Sequence, residues 1–137
     1  MQTIRMAIAT DDGNTCIERH FGDAQYYYLY DIDDHGVHFI DTLKNTVDIE
    51  EQESTHGDPR KASGIGGLLK KFQVNTAVSK VFGPNIKRLQ KQYACILVAA
   101  DDIPVVLEIL VQEKERIITE LEKGENRSPV DLRKIDR

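Results

Sequence analysis

Residues 94–100 read Ala-Cys-Ile-Leu-Val-Ala-Ala, and this apolar run is followed by Asp101 and Asp102. The run is far too short to cross a bilayer, which takes about 20 apolar residues. A strand that is apolar on both faces is typical of a sheet covered by helices on both sides. An aspartate after it favours a helix start, because its carboxylate can accept hydrogen bonds from the first N–H groups. The stretch therefore predicts an α/β fold.

Strands and helices alternate on either side of this run. Residues Thr76 to Phe82 predict another strand, and Gly83-Pro84-Asn85 predicts the start of a short helix between the two strands. Downstream, apolar residues recur at helical spacing from Ile103 to Leu121, and Gly124 is a typical helix stop. The pattern predicts one domain over residues 1–124 and a loosely held polar tail over residues 125–137.

The N-terminal third of the chain predicts strands rather than helices. Ile4 to Ala9 and Tyr26 to Ile32 are rich in strand-forming residues. Asp33-Asp34-His35-Gly36 is typical of a hairpin turn, which returns the chain along Val37 to Thr42. Together with the later strands, this order predicts a mixed five-stranded sheet flanked by helices on both faces. If the third strand alternates regularly, one of its faces carries Val37, Phe39 and Asp41.

Composition excludes several classes of protein. The 137 residues carry 18 basic and 23 acidic side chains, a formal net charge of −5, which argues against a general nucleic-acid coat or an anionic-membrane binder. The two cysteines, Cys16 and Cys95, form no paired motif, so zinc-finger and iron–sulfur ferredoxin classes lack ligands. The N-terminal residues do not resemble a signal peptide. We therefore expect a cytoplasmic protein with reduced thiols.

Charge is distributed unevenly along the chain. Residues 59–100 contain eight basic residues and no acid, whereas Asp41 to Asp58 contain six acids and one lysine. Solvated helix faces account for most lysines of this kind, but the basic part could also attract an anionic ligand or an acidic partner. The missing acids argue against a two-metal nuclease, since Asp11 and Asp12 would need further carboxylates from the later strands.

Glycines interrupt a helical pattern that extends from Ala62 to Phe72. Gly64, Gly66 and Gly67 each cost roughly 1 kcal/mol relative to alanine inside a helix. Two explanations remain open: close packing on a sheet, or close approach of the backbone to a ligand. The segment lacks both the Walker spacing and a complete GxGxxG motif, so it predicts no nucleotide phosphate site.

Two histidines lie in predicted loops where they could reach a ligand. His20 follows the first strand, within Cys16-Ile17-Glu18-Arg19-His20-Phe21-Gly22. Neutral imidazole is a common metal ligand, and Cys16 could bring a thiolate near it. His56 precedes the glycine-bearing helix. From spacing alone, each of these histidines is either a ligand or a plain loop residue.

Several motifs together resemble the dinitrogenase iron–molybdenum cofactor biosynthesis family. The similarity covers roughly residues 4–122 and is most specific at His20-Phe21-Gly22-Asp23-Ala24. It implies a ribonuclease-H-like α/β fold without nuclease activity, and it implies that His20 is a cluster ligand. The supporting segments are Met6 to Gly13, Tyr28 to Asp31, His56-Gly57 and Phe82 to Asn85.

The resemblance implies a small non-enzymatic carrier that binds a metal–sulfur cluster of the iron–molybdenum type, or its precursor. Such a carrier needs exchangeable ligands and positively charged surroundings, and backbone N–H groups near the glycines would help to hold an anion. We expect the cluster to be lost on aerobic purification. The predicted metal ligands are His20, His56 and Cys16; the predicted cluster-binding residues are His20, Phe21, Gly22, Gly64, Gly66 and Gly67.

The expected partners are cluster donor and acceptor proteins rather than a membrane or nucleic acid, and the expected state is a monomer or weak dimer. The alternative function is a regulatory or protein-interaction module on the same fold that has no metal site. An enzyme acting on a small anion is the weakest interpretation, because no catalytic constellation is present in the sequence.

Overall fold

The computed structural model describes residues 3–45 and 67–135, and these residues form a sheet of strand order β3-β2-β1-β4-β5-β6. Strand β1 pairs antiparallel with β2, and β2 pairs antiparallel with β3. The pairs β1–β4, β4–β5 and β5–β6 are parallel. The bounds are β1 (Ile4–Thr10), β2 (Tyr26–Asp33), β3 (Gly36–Lys44), β4 (Thr76–Ser79), β5 (Ala94–Leu97) and β6 (Val130–Asp131).

The described helices are short. Residues 67–71 are helical, and three further helices follow: α1 (Ile86–Gln90), α2 (Ile103–Gln112) and α3 (Lys114–Leu121). The single long helix predicted after Asp102 is divided at Glu113, whose backbone leaves helical geometry with φ −102° and ψ 16°. In the described part of the chain, no helix is both long and apolar enough to cross a membrane.

Alternation along the strands divides the core into two layers. Met6, Ile8 and Ile96 point to one face, where they pack with α2 and α3. Ala7 and Cys95, their neighbours in sequence, point to the other face. That second face is covered by Leu69 and Phe72 of the 67–72 region and by Ile86 and Leu89 of α1. The prediction of helices on both faces of a mixed sheet is therefore confirmed.

The prediction of five strands is wrong, because a sixth strand lies within the expected tail. Ile96 pairs with Val130, and the Leu132 N–H donates to the Leu97 carbonyl at 2.8 Å. Val130 and Leu132 are buried, so this part of the tail is held on the sheet rather than loose. A strand of two residues carries no hydrophobic period, which is why the pattern missed it. The ribonuclease-H-like assignment and the boundary at residue 124 stay predictions.

A β-bulge in β3 changes which residues share a face of the sheet, compared with the prediction. Tyr30 lies opposite Phe39, whereas Leu29 lies opposite Asp41, so Ile40 is an extra residue. Beyond the bulge the alternation is reversed, because each inserted residue exchanges the two faces of the strand. Asp41 therefore shares a face with His38, which lies opposite Asp31, and the placement of Asp41 with Phe39 is wrong.

The sixth strand gives a direct test of the fold. Leu132→Ala removes a fully buried side chain, so we expect the free energy of unfolding to fall by about 2 to 4 kcal/mol. Urea denaturation followed by far-UV circular dichroism measures the loss. Lys134→Ala, at an exposed nearby residue, is the matched control and should leave the unfolding midpoint essentially unchanged. Equal midpoints for both variants would mean that β6 does not belong to the cooperative unit.

Candidate functional site

The candidate site lies at the carboxyl-terminal ends of the neighbouring strands β1, β4 and β5. The loop after β1 first crosses to β5, where the Cys16 N–H donates to the Asp101 carbonyl at 2.8 Å. It then returns to β4, where the Phe21 N–H donates to the Val81 carbonyl at 2.9 Å. Strands β1 and β4 are parallel neighbours whose following connections leave in opposite directions along the sheet. In α/β sheets such a point is where a ligand commonly binds.

Asp12 fixes the start of this loop. Its Oδ1 atom accepts hydrogen bonds from the N–H groups of Asn14 and Thr15, both at 2.8 Å. The Thr10 hydroxyl donates to the Thr15 carbonyl at 2.6 Å. Because the two N–H groups stabilise the carboxylate, the pKa of Asp12 falls to about 2. Asp12, one of the two aspartates considered for a nuclease site and rejected there, thus has a structural role in this loop.

Phe21 anchors the middle of the loop in the core. Its ring is fully buried, stacks on Phe82 with centroids 5.5 Å apart, and contacts Tyr27 at 5.0 Å. The Tyr27 hydroxyl donates to the Phe21 carbonyl at 2.8 Å. The Asn45 side-chain amide donates to the Gly22 carbonyl at 3.0 Å. The backbone directly after His20 is therefore held by a side chain of β2 and by Asn45, the residue that follows β3.

His20 lies against the backbone of Gly83. A Cβ atom built on Gly83 would be 2.5 Å from His20 Nδ1, and Gly83 has a φ of +73°. A glycine is required here for two reasons: the φ angle is positive, and the imidazole occupies the space that a side chain would need. The His20 side chain is 50% exposed, and its Nδ1 lies 4.0 Å from an Asp23 carboxylate oxygen. The ring is thus positioned by the protein yet open to a ligand.

Sequence reasoning missed the role of Gly83. The Gly-Pro-Asn signal was interpreted as a helix start, and a 3₁₀ turn over Gly83–Asn85 does lead into α1. The signal that could have pointed further is the glycine directly after a predicted strand, where a neighbouring loop can approach the backbone closely.

Cys16 is poorly suited to metal binding in this conformation. It is a free cysteine, buried in the core layer that faces α2. Burial raises the pKa of its thiol to about 11, so the thiol is protonated at neutral pH. A metal ligand must be the thiolate.

Of the predicted glycine and His56 contributors in the later segment, only Gly67 belongs to the part of the chain that the structure describes. Gly67 is helical, and a Cβ built on it would meet no atom within 4 Å. Among the described residues this open space argues against close packing on the sheet at Gly67, whereas contact with a ligand stays a prediction. His56, Gly64 and Gly66 lie outside the described residues.

The described charges around His20 do not form a positive cradle. The Lys80 ammonium pairs with Asp101 and, at 3.4 Å, with Glu18. Arg19 pairs with Asp11 at 2.9 Å. The other described members of the basic stretch lie on the helices of one face or directly after them: Lys70, Lys71, Lys87, Arg88 and Lys91.

No group of three or more histidine, cysteine, aspartate or glutamate side chains within residues 3–45 and 67–135 is arranged to hold a metal ion. Among the described residues, His20 is therefore an accessible side chain that is not part of a closed set of candidate ligands. This part of the chain does not contain the ligands that a tightly bound structural metal requires.

Comparisons with known proteins agree with the fold. The family model described as "Dinitrogenase iron-molybdenum cofactor" matches residues 2–111. A crystal structure of a "putative dinitrogenase" from Methanocaldococcus jannaschii is similar, with a TM-score of 0.59 and 22% sequence identity. The match covers 83% of this chain and 93% of the other. No curated protein matches at a significant level.

The contact between His20 and Gly83 can be tested by a pair of variants. Gly83→Ala and Gly124→Ala both place an alanine at positive φ, +73° and +61°, but only at Gly83 would the new Cβ meet another side chain. We expect each to lower the free energy of unfolding by about 1 kcal/mol or more, with a larger loss for Gly83→Ala. Only Gly83→Ala should shift the NMR resonances of the His20 imidazole. Equal losses with unchanged resonances would contradict this geometry.

The Asp12 turn predicts a pH dependence. The folded-state pKa of about 2 lies below the ordinary carboxyl value, so ionised Asp12 stabilises the fold at neutral pH and loses this effect as the pH falls through 2. In Asp12→Asn the amide is a weaker acceptor and does not titrate. The difference in unfolding free energy between parent and variant should narrow from about pH 5 to about pH 2. A difference that stays constant over this range would contradict the assignment.

Proposed function

The chain belongs to the dinitrogenase iron–molybdenum cofactor family, and from this premise we propose that it is a small non-enzymatic carrier. In this proposal it binds an anionic metal–sulfur cluster of the iron–molybdenum type, or a precursor, and passes it to a partner protein. The observation that carries the proposal is His20: half-exposed, anchored through Phe21, and held over Gly83 at the edge where β1 and β4 end.

A single accessible imidazole suits transfer better than retention. A histidine nitrogen can coordinate a metal atom of a cluster without any change in the fold. Four protein ligands would hold the cargo so firmly that a receiving protein could not remove it. With His20 as the principal ligand, exchange requires that only one protein–metal bond be replaced by a ligand of the acceptor.

The loop supports this role by limiting the motion of His20. Phe21 is fully buried next to it, and Gly83 leaves space for the ring in one position. A ligand that is already ordered loses little conformational entropy on binding. Affinity for the cluster can then come from one well-placed bond.

The paired cations near His20 favour weak and reversible binding. Lys80 and Arg19 are both neutralised by carboxylates, so the described edge offers little long-range attraction for an anion. The expected positive surroundings are therefore not supplied by these residues. In the proposed mechanism, ligation by His20 and contacts with Phe21 and Gly22 supply the affinity.

His56, Gly64 and Gly66 remain proposed contributors to the same site. Cys16 is a weaker candidate, since its thiol would have to lose a proton at a pKa of about 11. Gly67 would contribute only if the ligand reached the open side of its helix. Each of these residues can be tested separately from His20.

We also propose a cytoplasmic setting, with cluster donor and acceptor proteins as partners. Two free, buried thiols are consistent with a reducing compartment. The net charge of −5 disfavours nucleic acid and anionic membranes as partners.

A second candidate is a regulatory or protein-interaction module on the same fold that holds no metal. The absence of a group of three metal-ligand side chains from the described residues favours it. The two candidates differ in one measurable property, the binding of a cluster under anaerobic conditions.

His20→Ala should weaken cluster binding by about 10-fold or more, because it removes the only proposed ligand that is both described and exposed. The measurement is an anaerobic titration of the protein with isolated iron–molybdenum cofactor. Visible absorption and elemental analysis for iron and molybdenum after gel filtration report the bound fraction.

His35→Ala, at an exposed residue of the β2–β3 turn, is the matched control and should bind like the parent. Cys16→Ala should also bind like the parent, whereas His56→Ala tests a second ligand. Parent-like binding by His20→Ala would overturn His20 as a ligand. No bound iron or molybdenum in the parent would favour the metal-free module.

A further inference from the structure

Exposed apolar surface is concentrated on one edge of the sheet. Four large apolar side chains are exposed among the described residues, and three of them lie in β3: Val37, Phe39 and Ile40, with Phe39 55% exposed. Strand β3 is the edge strand, and no other described strand pairs with its outer side. Unpaired backbone groups and apolar side chains together make an edge of this kind suited to pairing with another strand.

An aromatic cluster supports Phe39 from within the same molecule. The Phe39 ring contacts Tyr28 and Tyr30 of β2, with centroids 5.8 Å and 5.5 Å apart. The exposed ring is therefore placed by its neighbours rather than free in solvent. An ordered aromatic side chain with a large exposed area is typical of contact surfaces between proteins.

The bulge at Ile40 makes β3 complementary to itself. His38 lies opposite Asp31 and Asp41 lies opposite Leu29, so both side chains point to one face of the sheet. Val37 and Thr42, opposite Ile32 and Tyr28, share the other face with Phe39. In an unbroken strand, residues three apart would point to opposite faces.

We propose that β3 pairs antiparallel with β3 of a second copy of this chain, about a two-fold axis that passes between Phe39 and Ile40 perpendicular to the sheet. This register sets His38 opposite the partner's Asp41 on one face. On the other face it sets Val37 opposite the partner's Thr42. At the axis, Phe39 meets the partner's Ile40. The opposed residues share a face in the His38–Asp41 pair and in the Val37–Thr42 pair, so the two sheets continue into one.

Charge favours a second copy over an unrelated strand. Asp41 is exposed and has no ion-pair partner among the described residues, while His38 Nε2 lies 3.2 Å from Asp33 Oδ1. Symmetric pairing gives each Asp41 an imidazole opposite it, twice in the dimer. A hydrogen bond between an imidazole and a carboxylate directly across a strand pair stabilises the pair, whereas two like charges there destabilise it.

The dimer leaves the His20 sites accessible. Because the two copies of β3 run in opposite directions, the two edges that carry His20 lie at opposite ends of the joined sheet. One strand pair buries less area than a permanent interface, so we expect the dimer to be weak. The inference does not depend on the cargo of the His20 site.

Sedimentation velocity on the full chain from about 10 µM to about 1 mM tests the proposal. The parent should shift from monomer to dimer over this range. Ile40→Lys should remain monomeric throughout, because it places a charge next to the axis. Thr119→Lys, at an exposed residue of α3, adds the same charge away from β3 and should dimerise like the parent.

A charge exchange tests the register. His38→Asp sets two carboxylates opposite each other and should weaken the dimer about 10-fold or more. The double variant with His38→Asp and Asp41→Lys should restore it. Circular dichroism verifies that each variant is folded. A monomeric parent at the highest concentration, a dimer unaffected by Ile40→Lys, or a dimer unaffected by His38→Asp would each overturn the proposal.

Discussion

Burial of Phe21 between Tyr27 and Phe82 is the constraint on which the candidate site depends. The ring draws the loop after β1 down onto the end of β4, where the Phe21 N–H bonds to Val81. His20, the residue before, is thereby held at the surface while its neighbour belongs to the core. Gly83 completes the arrangement, since any side chain there would occupy the space of the imidazole. An apolar contact in the core thus determines the position of a half-exposed imidazole.

The charged residues on one helical face differ from those near His20 in whether carboxylates neutralise them. Lysines and arginine of the 67–71 helix and of α1 cover one face, whereas the strand ends near His20 hold cations that carboxylates neutralise. A site with little long-range attraction but an ordered ligand favours binding through one specific bond. That property agrees with transient handling of a cofactor, in which release matters as much as capture.

Some elements were predictable because their signals are local. The apolar run at residues 94–100 predicted a buried strand, and β5 forms there, although it ends at Leu97. The Asp-Asp-His-Gly turn predicted the hairpin of β2 and β3. The strand β6 and the bulge at Ile40 were missed, since two residues have no period and an inserted residue leaves no mark on composition. Both depend on the pairing partner, which the local sequence does not specify.

Sequence patterns alone were enough to predict the class of fold, the loop that carries His20 and the separation of charge along the chain. Hydrophobic period, turn residues and net charge are properties of neighbours in sequence, so they can be evaluated without coordinates. Three further facts are evident only in the folded chain: His20 lies against Gly83, Cys16 is buried and protonated, and the cations near His20 are paired with carboxylates. They depend on contacts between residues far apart in sequence, such as the hydrogen bond between Cys16 and Asp101, which are 85 positions apart. Such contacts form only when the ends of β1, β4 and β5 come together.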